Sequence, residues 1–361
     1  MKKRNIALLF ISALLLGGCQ TTMSETRTLD LNIASSWQRE ENSIRPAVAA
    51  TIDGRDYLFF GTQPNSSKDD NLLTVLDITD PISPREVASL VAPENYPIYG
   101  LIIHDTTLYA RLMRSFWIVD VSDPTAPMQL SVLNTGSNPG NIFLVSSYLY
   151  INVSEYSAEN PKMSIQVIDV SDPSNPQVAA TVAVAPEASI KEASDNRLYC
   201  TGEDGFRIMD ISSPLEPREI GFYADPTGVE GHSTTGSDWD TMDGFFDVTV
   251  VGNHAFIASA LSGLRVLDIT DPSNIKEVTK LDTLVITLSI SAYDNLAFLP
   301  GAIQEPFHFE MLVVDITEPA NPKILDSIEI LVFAIERPVK LGDYIYVTGG
   351  QSLGIIGLYE G

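Results

Sequence analysis

The chain has 361 residues, 44% of them hydrophobic, and sets 47 Asp and Glu against 22 Lys and Arg for a formal net charge of −25. So acidic a chain does not bind nucleic acid or anionic headgroups through charge; cations or basic proteins suit it better, and solubility alone or a saline habitat explains the charge equally well. With only two Cys a disulfide framework is excluded, and the length supports a sizeable core in its place.

The N-terminus reads as a targeting segment. Lys2, Lys3 and Arg4 precede an apolar stretch from Ile6 to Leu16, which is too short to span a bilayer. It ends in Leu16-Gly17-Gly18-Cys19, which resembles the signal box of bacterial lipoproteins. That resemblance implies cleavage before Cys19, diacylation of its thiol and acylation of the new amino terminus, an anchor of several acyl chains that holds stably. Gln20 follows the Cys where Asp would mark inner-membrane retention, so the same resemblance implies the outer membrane, on its periplasmic or cell-surface side. An ordinary secretory signal with an incidental Cys is the alternative. Residues 20–28 read as a polar tether. With Cys19 lipidated, Cys200 has no disulfide partner; its place in the run Arg197 to Thr201 is that of a small core residue.

Residues 29–361 read as one domain. Leu29, Leu31 and Ile33 alternate within residues 28–34, the period of a strand. Downstream, an apolar run ends six times in Asp, Ile or Val, Thr or Ser, an acidic residue or Ser, and Pro. The copies run Asp77 to Pro81, Asp120 to Pro124, Asp169 to Pro173, Asp210 to Pro214, Asp268 to Pro272 and Asp315 to Pro319. Successive Asp residues stand 43, 49, 41, 58 and 47 positions apart, the period of a repeat architecture. The unit around Asp268 shows its content: β runs at Phe246 to Val251, Ala255 to Ala258, Leu264 to Ile269 and Lys276 to Leu281, with Gly252-Asn253 and Ser262-Gly263 as turns. That is a four-stranded antiparallel meander. Its third strand is nearly all apolar, as in Leu72, Leu73, Val75, Leu76 and Ile78 of the first unit, which suits burial on both faces. Sheets stacked radially achieve this.

A seventh unit lacks the Asp motif. Lys340 to Thr348 supplies two strands and Gly354 to Leu358 a third, with Tyr359 in place of the Asp. Its missing fourth strand is expected from residues 28–34, closing the ring. The expected fold is therefore all-β, a seven-bladed β-propeller of four-stranded antiparallel blades, closed by an N-terminal strand; six or eight blades are the alternatives, since the terminal units are degenerate. The motif Asp is expected to accept from backbone N–H groups of the next turn, and its Pro to end the strand, which is scaffolding in place of catalysis.

Runs such as Phe116 to Val121 and Leu312 to Ile316 resemble the LVIVD repeat family over roughly residues 45–361. That resemblance implies a β-propeller on secreted or surface-bound bacterial and archaeal proteins. Tyr346-Val347-Thr348-Gly349 also resembles one copy of the YVTN propeller repeat.

Function is expected on the face where loop length varies, that of the connections after the second and fourth strands: residues 62–71, 154–163, 301–310 and the long insertion 225–244. Within the insertion, Asp238, Asp240 and Asp243 are candidate Ca²⁺ ligands because a hard cation takes oxygen donors, although their spacing is not that of an EF-hand. His232 and Trp239 are candidate ligand contacts, as are Arg111, Arg114, Glu203 and His308 in shorter loops. No phosphate-binding Gly loop, Gly-x-Ser-x-Gly elbow or paired-His metal motif is present. The expected function is a lipid-anchored, non-enzymatic binding or scaffolding module for a protein, peptide or glycan. A surface or periplasmic hydrolase or lyase using acids of the top loops is the alternative.

Overall fold

The computed structural model describes residues 29–38, 42–64, 70–135, 139–155, 162–184, 188–202, 204–226, 244–304, 306–330 and 336–360. They form seven antiparallel sheets around a central channel, six of them running outward in chain order and the seventh completed on its outer edge by the N-terminal strand. Blade 1 comprises Asn42–Ile52, Arg55–Pro64, Leu72–Asp77 and Arg85–Val91. Blade 2 comprises Gly100–His104, Thr107–Arg111, Ser115–Asp120 and Met128–Asn134, and blade 3 Pro139–Val145, Tyr148–Glu155, Lys162–Asp169 and Gln177–Val184. Blade 4 comprises Ser189–Ser194, Arg197–Gly202, Gly205–Asp210 and Arg218–Ala224, and blade 5 Asp247–Val251, His254–Ala258, Leu264–Asp268 and Lys276–Leu281. Blade 6 breaks its inner strand into Ile286–Thr287 and Ser291–Tyr293 before Leu296–Ile303, His308–Asp315 and Lys323–Ile330. Blade 7 comprises Val339–Leu341, Tyr344–Gly349 and Ser352–Glu360, and Leu29–Gln38 pairs with its last strand.

Alternation explains why each blade buries both faces. In blade 1, Phe59, Leu73 and Val75 pack against Leu108, Trp117 and Val119 of blade 2. Their neighbours Leu58, Phe60, Leu76 and Ile78 pack the other way, against Tyr346, Leu353 and Ile355 of blade 7. Similar apolar clusters fill the other blade interfaces. Each fully buried large apolar side chain contributes about 1.5–3 kcal/mol, so the ring is held mainly by contacts between sheets.

The repeated motif is structural, as expected. Asp77, Asp120, Asp169, Asp210, Asp268 and Asp315 each accept, through Oδ1, the backbone N–H two residues on, at 2.8–3.0 Å. The following Ile or Val is buried, and its own N–H donates to the hairpin between the first two strands, as from Ile269 to Asn253 and from Val121 to Thr106. Blade 7 keeps this bond without the Asp, since Leu358 N–H donates to Asp343 O. Gly357, paired with Tyr344 as Asp77 is with Tyr57, holds the Asp place, which corrects the expectation of Tyr359 there. Those hairpins are two-residue turns with positive φ, for example Asp195 (50°) and Asn196 (56°). Motif turns and hairpins thus occupy one face of the ring, and the variable connections the other.

Two further expectations need correcting. Leu31 is buried, but Ile33 is 52% exposed. The register with the last strand shifts between Ile33 and Ser35, so the extra residue Ala34 turns the alternation over; Ala34 and Trp37 then face blade 1. Residues 154–163 and 301–310 are also not simple loops. Strand pairing continues outward to Glu155–Lys162 and Ile303–His308, so these connections are extended hairpins.

Candidate functional site

The channel has a volume of about 960 Å³ and is walled by the inner strands of all seven blades. Each inner strand enters from the loop-rich face, so its first residues form the mouth there. Mid-strand the wall is apolar, as at Ala47, Val48, Leu101 and Ile103. At the mouth it turns polar, because the inner strands are irregular at that end. The pairing register shifts between Ile44 and Ala47 in blade 1, Pro139 and Ile142 in blade 3, and Ile190 and Glu192 in blade 4. In blade 6 the strand is interrupted at residues 288–290. Such bulges re-aim side chains. Asn141 and Lys191 are bulge residues, Ser289 lies in the interruption, and all three line the channel.

One guanidinium organises the mouth. Arg337, just before the inner strand of blade 7, donates from Nε to Asp247 Oδ2 (2.9 Å) and from Nη2 to Asp247 Oδ1 (2.5 Å) in blade 5. It also donates from Nη1 to Glu192 Oε2 in blade 4 (3.1 Å), and from Nη2 to the carbonyls of Lys191 and Val248 (both 2.6 Å). Asp247 accepts further from the N–H groups of Ile290 in blade 6 and of Val248. Four consecutive blades therefore meet at one half-buried ion cluster. Burial alone would lower the Arg337 pKa, but Asp247 and Glu192 outweigh it and hold the charge more firmly than usual. Burial raises the Glu192 carboxyl above the ordinary value despite Arg337. Both carboxylates are occupied by Arg337 and backbone amides, so neither is set up as a free general acid or base.

Lys191 is placed differently. Its Nζ makes no hydrogen bond or ion pair among the described residues, yet it lines the open channel. Burial pushes its ammonium pKa below the ordinary value, with Asp247 opposing and Arg337 reinforcing the shift. The Ser289 hydroxyl is also buried without a partner among the described residues.

Of the residues singled out from sequence, Arg111 lies nearest this mouth. Its Nη2 donates to Tyr99 O at 2.7 Å, and its guanidinium stacks 5.3 Å above the Tyr99 ring. Burial lowers its pKa to about 10, with the charge of Glu336 opposing. Arg114 is exposed at its turn tip, apart from this cluster. His308 is held within its own hairpin by Pro306 O (2.6 Å) and Glu310 Oε1 (3.2 Å), which raise its pKa. Glu203, His232, Trp239 and the three candidate Ca²⁺ ligands Asp238, Asp240 and Asp243 lie outside the described residues, as does Cys19. Among the described residues no group of three or more His, Cys, Asp or Glu is arranged to hold a metal. Cys200 is buried against the blade 3 interface, as expected, and burial pushes its thiol up to about 12.

Sequence reading missed Arg337, Asp247, Glu192 and Lys191. Their one local signal is charge in or just before inner strands that are otherwise largely apolar.

The loop-rich face also carries exposed apolar side chains: Leu284 (87%), Phe307 (59%), Leu261 (43%) and Met113 (39%). A bridge between Ala260 and Thr287 brings the Leu261 turn beside the Leu284 turn. Leu284 sits at φ 54°, a costly conformation for a bulky residue, and Asp282 Oδ1 fixes it by accepting its N–H.

The LVIVD repeat pattern matches residues 68–91, 112–135, 162–184 and 246–283. The first three matches cover the outer two strands of blades 1, 2 and 3, and the last spans blade 5. No curated protein matches the sequence. Among solved structures, BamB from Moraxella catarrhalis is similar over 91% of this chain and 98% of its own, at 10% identity and a TM-score of 0.54. The computationally designed Ika8 protein is similar over 90% and 99%, at 9% identity and a TM-score of 0.57. A chain of the Mitotic Checkpoint Complex is similar over 97% and 99%, at 10% identity and a TM-score of 0.65. At such identities the likeness is one of fold.

Proposed function

We propose that this chain, a seven-bladed β-propeller carrying LVIVD repeats, is a lipid-anchored module of the bacterial cell envelope that binds a protein partner through its loop-rich face. The carrying observation is the apolar group Leu261, Leu284 and Phe307 on blades 5 and 6, with Leu284 held outward at positive φ. Exposed apolar side chains on one face of a rigid scaffold, with the Leu261 and Leu284 turns side by side, are ordinary anchors for a partner protein. Membership of a similar fold in a multiprotein complex agrees with this use. The engagement of Glu192 and Asp247 by Arg337 takes these two carboxylates out of the paired-carboxylate chemistry of glycoside hydrolysis, which supports binding as the use of the mouth. The test is capture from the native envelope by the purified chain and by a Leu284→Asp, Phe307→Asp variant. Loss of the same captured protein with unchanged melting supports the reading; equal capture by both excludes this face.

A further inference from the structure

The partner-binding reading leaves the channel unused, and one of its groups invites chemistry. Lys191 is the extra residue of the blade 4 bulge, which is why it and Glu192, neighbours in sequence, both line the channel. The nearby carboxylates do not capture its amine: Asp247 and Glu192 spend their contacts on Arg337, Ile290 N–H and Val248 N–H. The channel walls also carry Tyr99, Phe143, Phe246, Leu288 and Tyr293, so a molecule that passes the polar mouth meets aromatic and aliphatic surface. A volume of about 960 Å³ lies within the range of small-molecule sites.

We propose that Lys191 is a nucleophilic amine site for small, uncharged aromatic or aliphatic aldehydes that enter the channel from the loop-rich face. A lysine amine becomes a nucleophile when its charged form is disfavoured. Lys191 is half-buried on the channel wall, with no anion among the described residues bonded to its amine and with the Arg337 guanidinium bonded to its own backbone carbonyl. Its lowered pKa agrees with that placement. The amine nitrogen attacks the carbonyl carbon to give a carbinolamine; loss of water then leaves a C=N bond, with no oxidant or reductant required. An uncharged ligand leaves the Arg337–Asp247–Glu192 cluster intact. A carboxylate ligand would have to settle beside two existing carboxylates, which is why an aldehyde suits the site better.

The test uses the full folded chain, benzaldehyde and cyanoborohydride, with adducts located by peptide mass mapping over time. Lys191 is expected to be trapped at least ~10-fold faster than any exposed lysine, with a rate that saturates as benzaldehyde rises. This comparison is internal to the wild-type chain, so it does not depend on a variant that folds. Lys191→Arg should remove the fast adduct and leave the slow surface ones. Trapping of Lys191 no faster than surface lysines, or a rate linear in benzaldehyde throughout, overturns the proposal. Neither result bears on partner capture by Leu284 and Phe307.

Discussion

Arg337 and Asp247 meet in a two-point ion pair, at 2.9 and 2.5 Å, although 90 residues separate them in the chain. Arg337→Ala would leave Asp247 and Glu192 facing each other without a cation. The expected loss is about 2–4 kcal/mol in urea denaturation, below the full penalty for a dry interior because water reaches 32% of the Arg337 side chain. Adding Asp247→Asn and Glu192→Gln should recover part of it. A change under about 0.5 kcal/mol in the single variant would contradict a structural role for the cluster.

Ring closure depends on Leu29–Gln38 covering the edge of Ser352–Glu360. Removing residues up to Gln38 should lower the melting temperature and cause concentration-dependent association, because a long strand edge is left unpaired. Gel filtration across a concentration series checks this, and a monomer with unchanged melting would speak against it.

The motif carboxylates predict acid sensitivity. The Ser212 backbone N–H and then Arg218 hold the Asp210 pKa at about 2, and bonds within their own turns lower those of Asp77, Asp169 and Asp268. A pKa depressed in the folded state gives stability that is complete above the ordinary value of 3.8 and is lost as pH falls toward the folded value. Denaturation midpoints should be flat from pH 7 to about 5 and fall steeply between about 4 and 2. Asp210→Asn keeps an acceptor oxygen and should flatten part of that fall.

Cys19→Ser should abolish incorporation of radiolabelled fatty acid and move the protein from the membrane to the soluble fraction. Cys200→Ser should do neither, since that thiol is buried in the blade 3 interface. Labelling that survives Cys19→Ser would refute the lipoprotein reading.

The fold was readable because it is written repeatedly: an Asp that caps a turn and an apolar run buried on two sides recur six times, so each copy supports the others. The seventh blade could be found from Lys340 to Thr348 and Gly354 to Leu358, and its closing strand from the alternation of Leu29 and Leu31. The bulge at Ala34 could not, because one inserted residue leaves no compositional trace. The channel cluster was unreadable for a different reason. Lys191, Glu192, Asp247 and Arg337 come from three blades and form no local motif; only ring closure brings them together. Attention to the short loop of blade 2 found Arg111, which stacks on Tyr99 of the channel wall, but Arg114 beside it is exposed at the turn tip.

The entry point of the chain decides how the ring is presented. Leu29 starts the closing strand on the side of the motif turns, and Gln38 leaves it on the opposite side, toward blade 1. A chain fastened to a membrane ahead of Leu29 is therefore held by its turn side, with the Arg337 mouth and the Leu284 knob directed outward. Partners and small molecules would approach from the aqueous space, and the bilayer would lie behind the capped Asp turns.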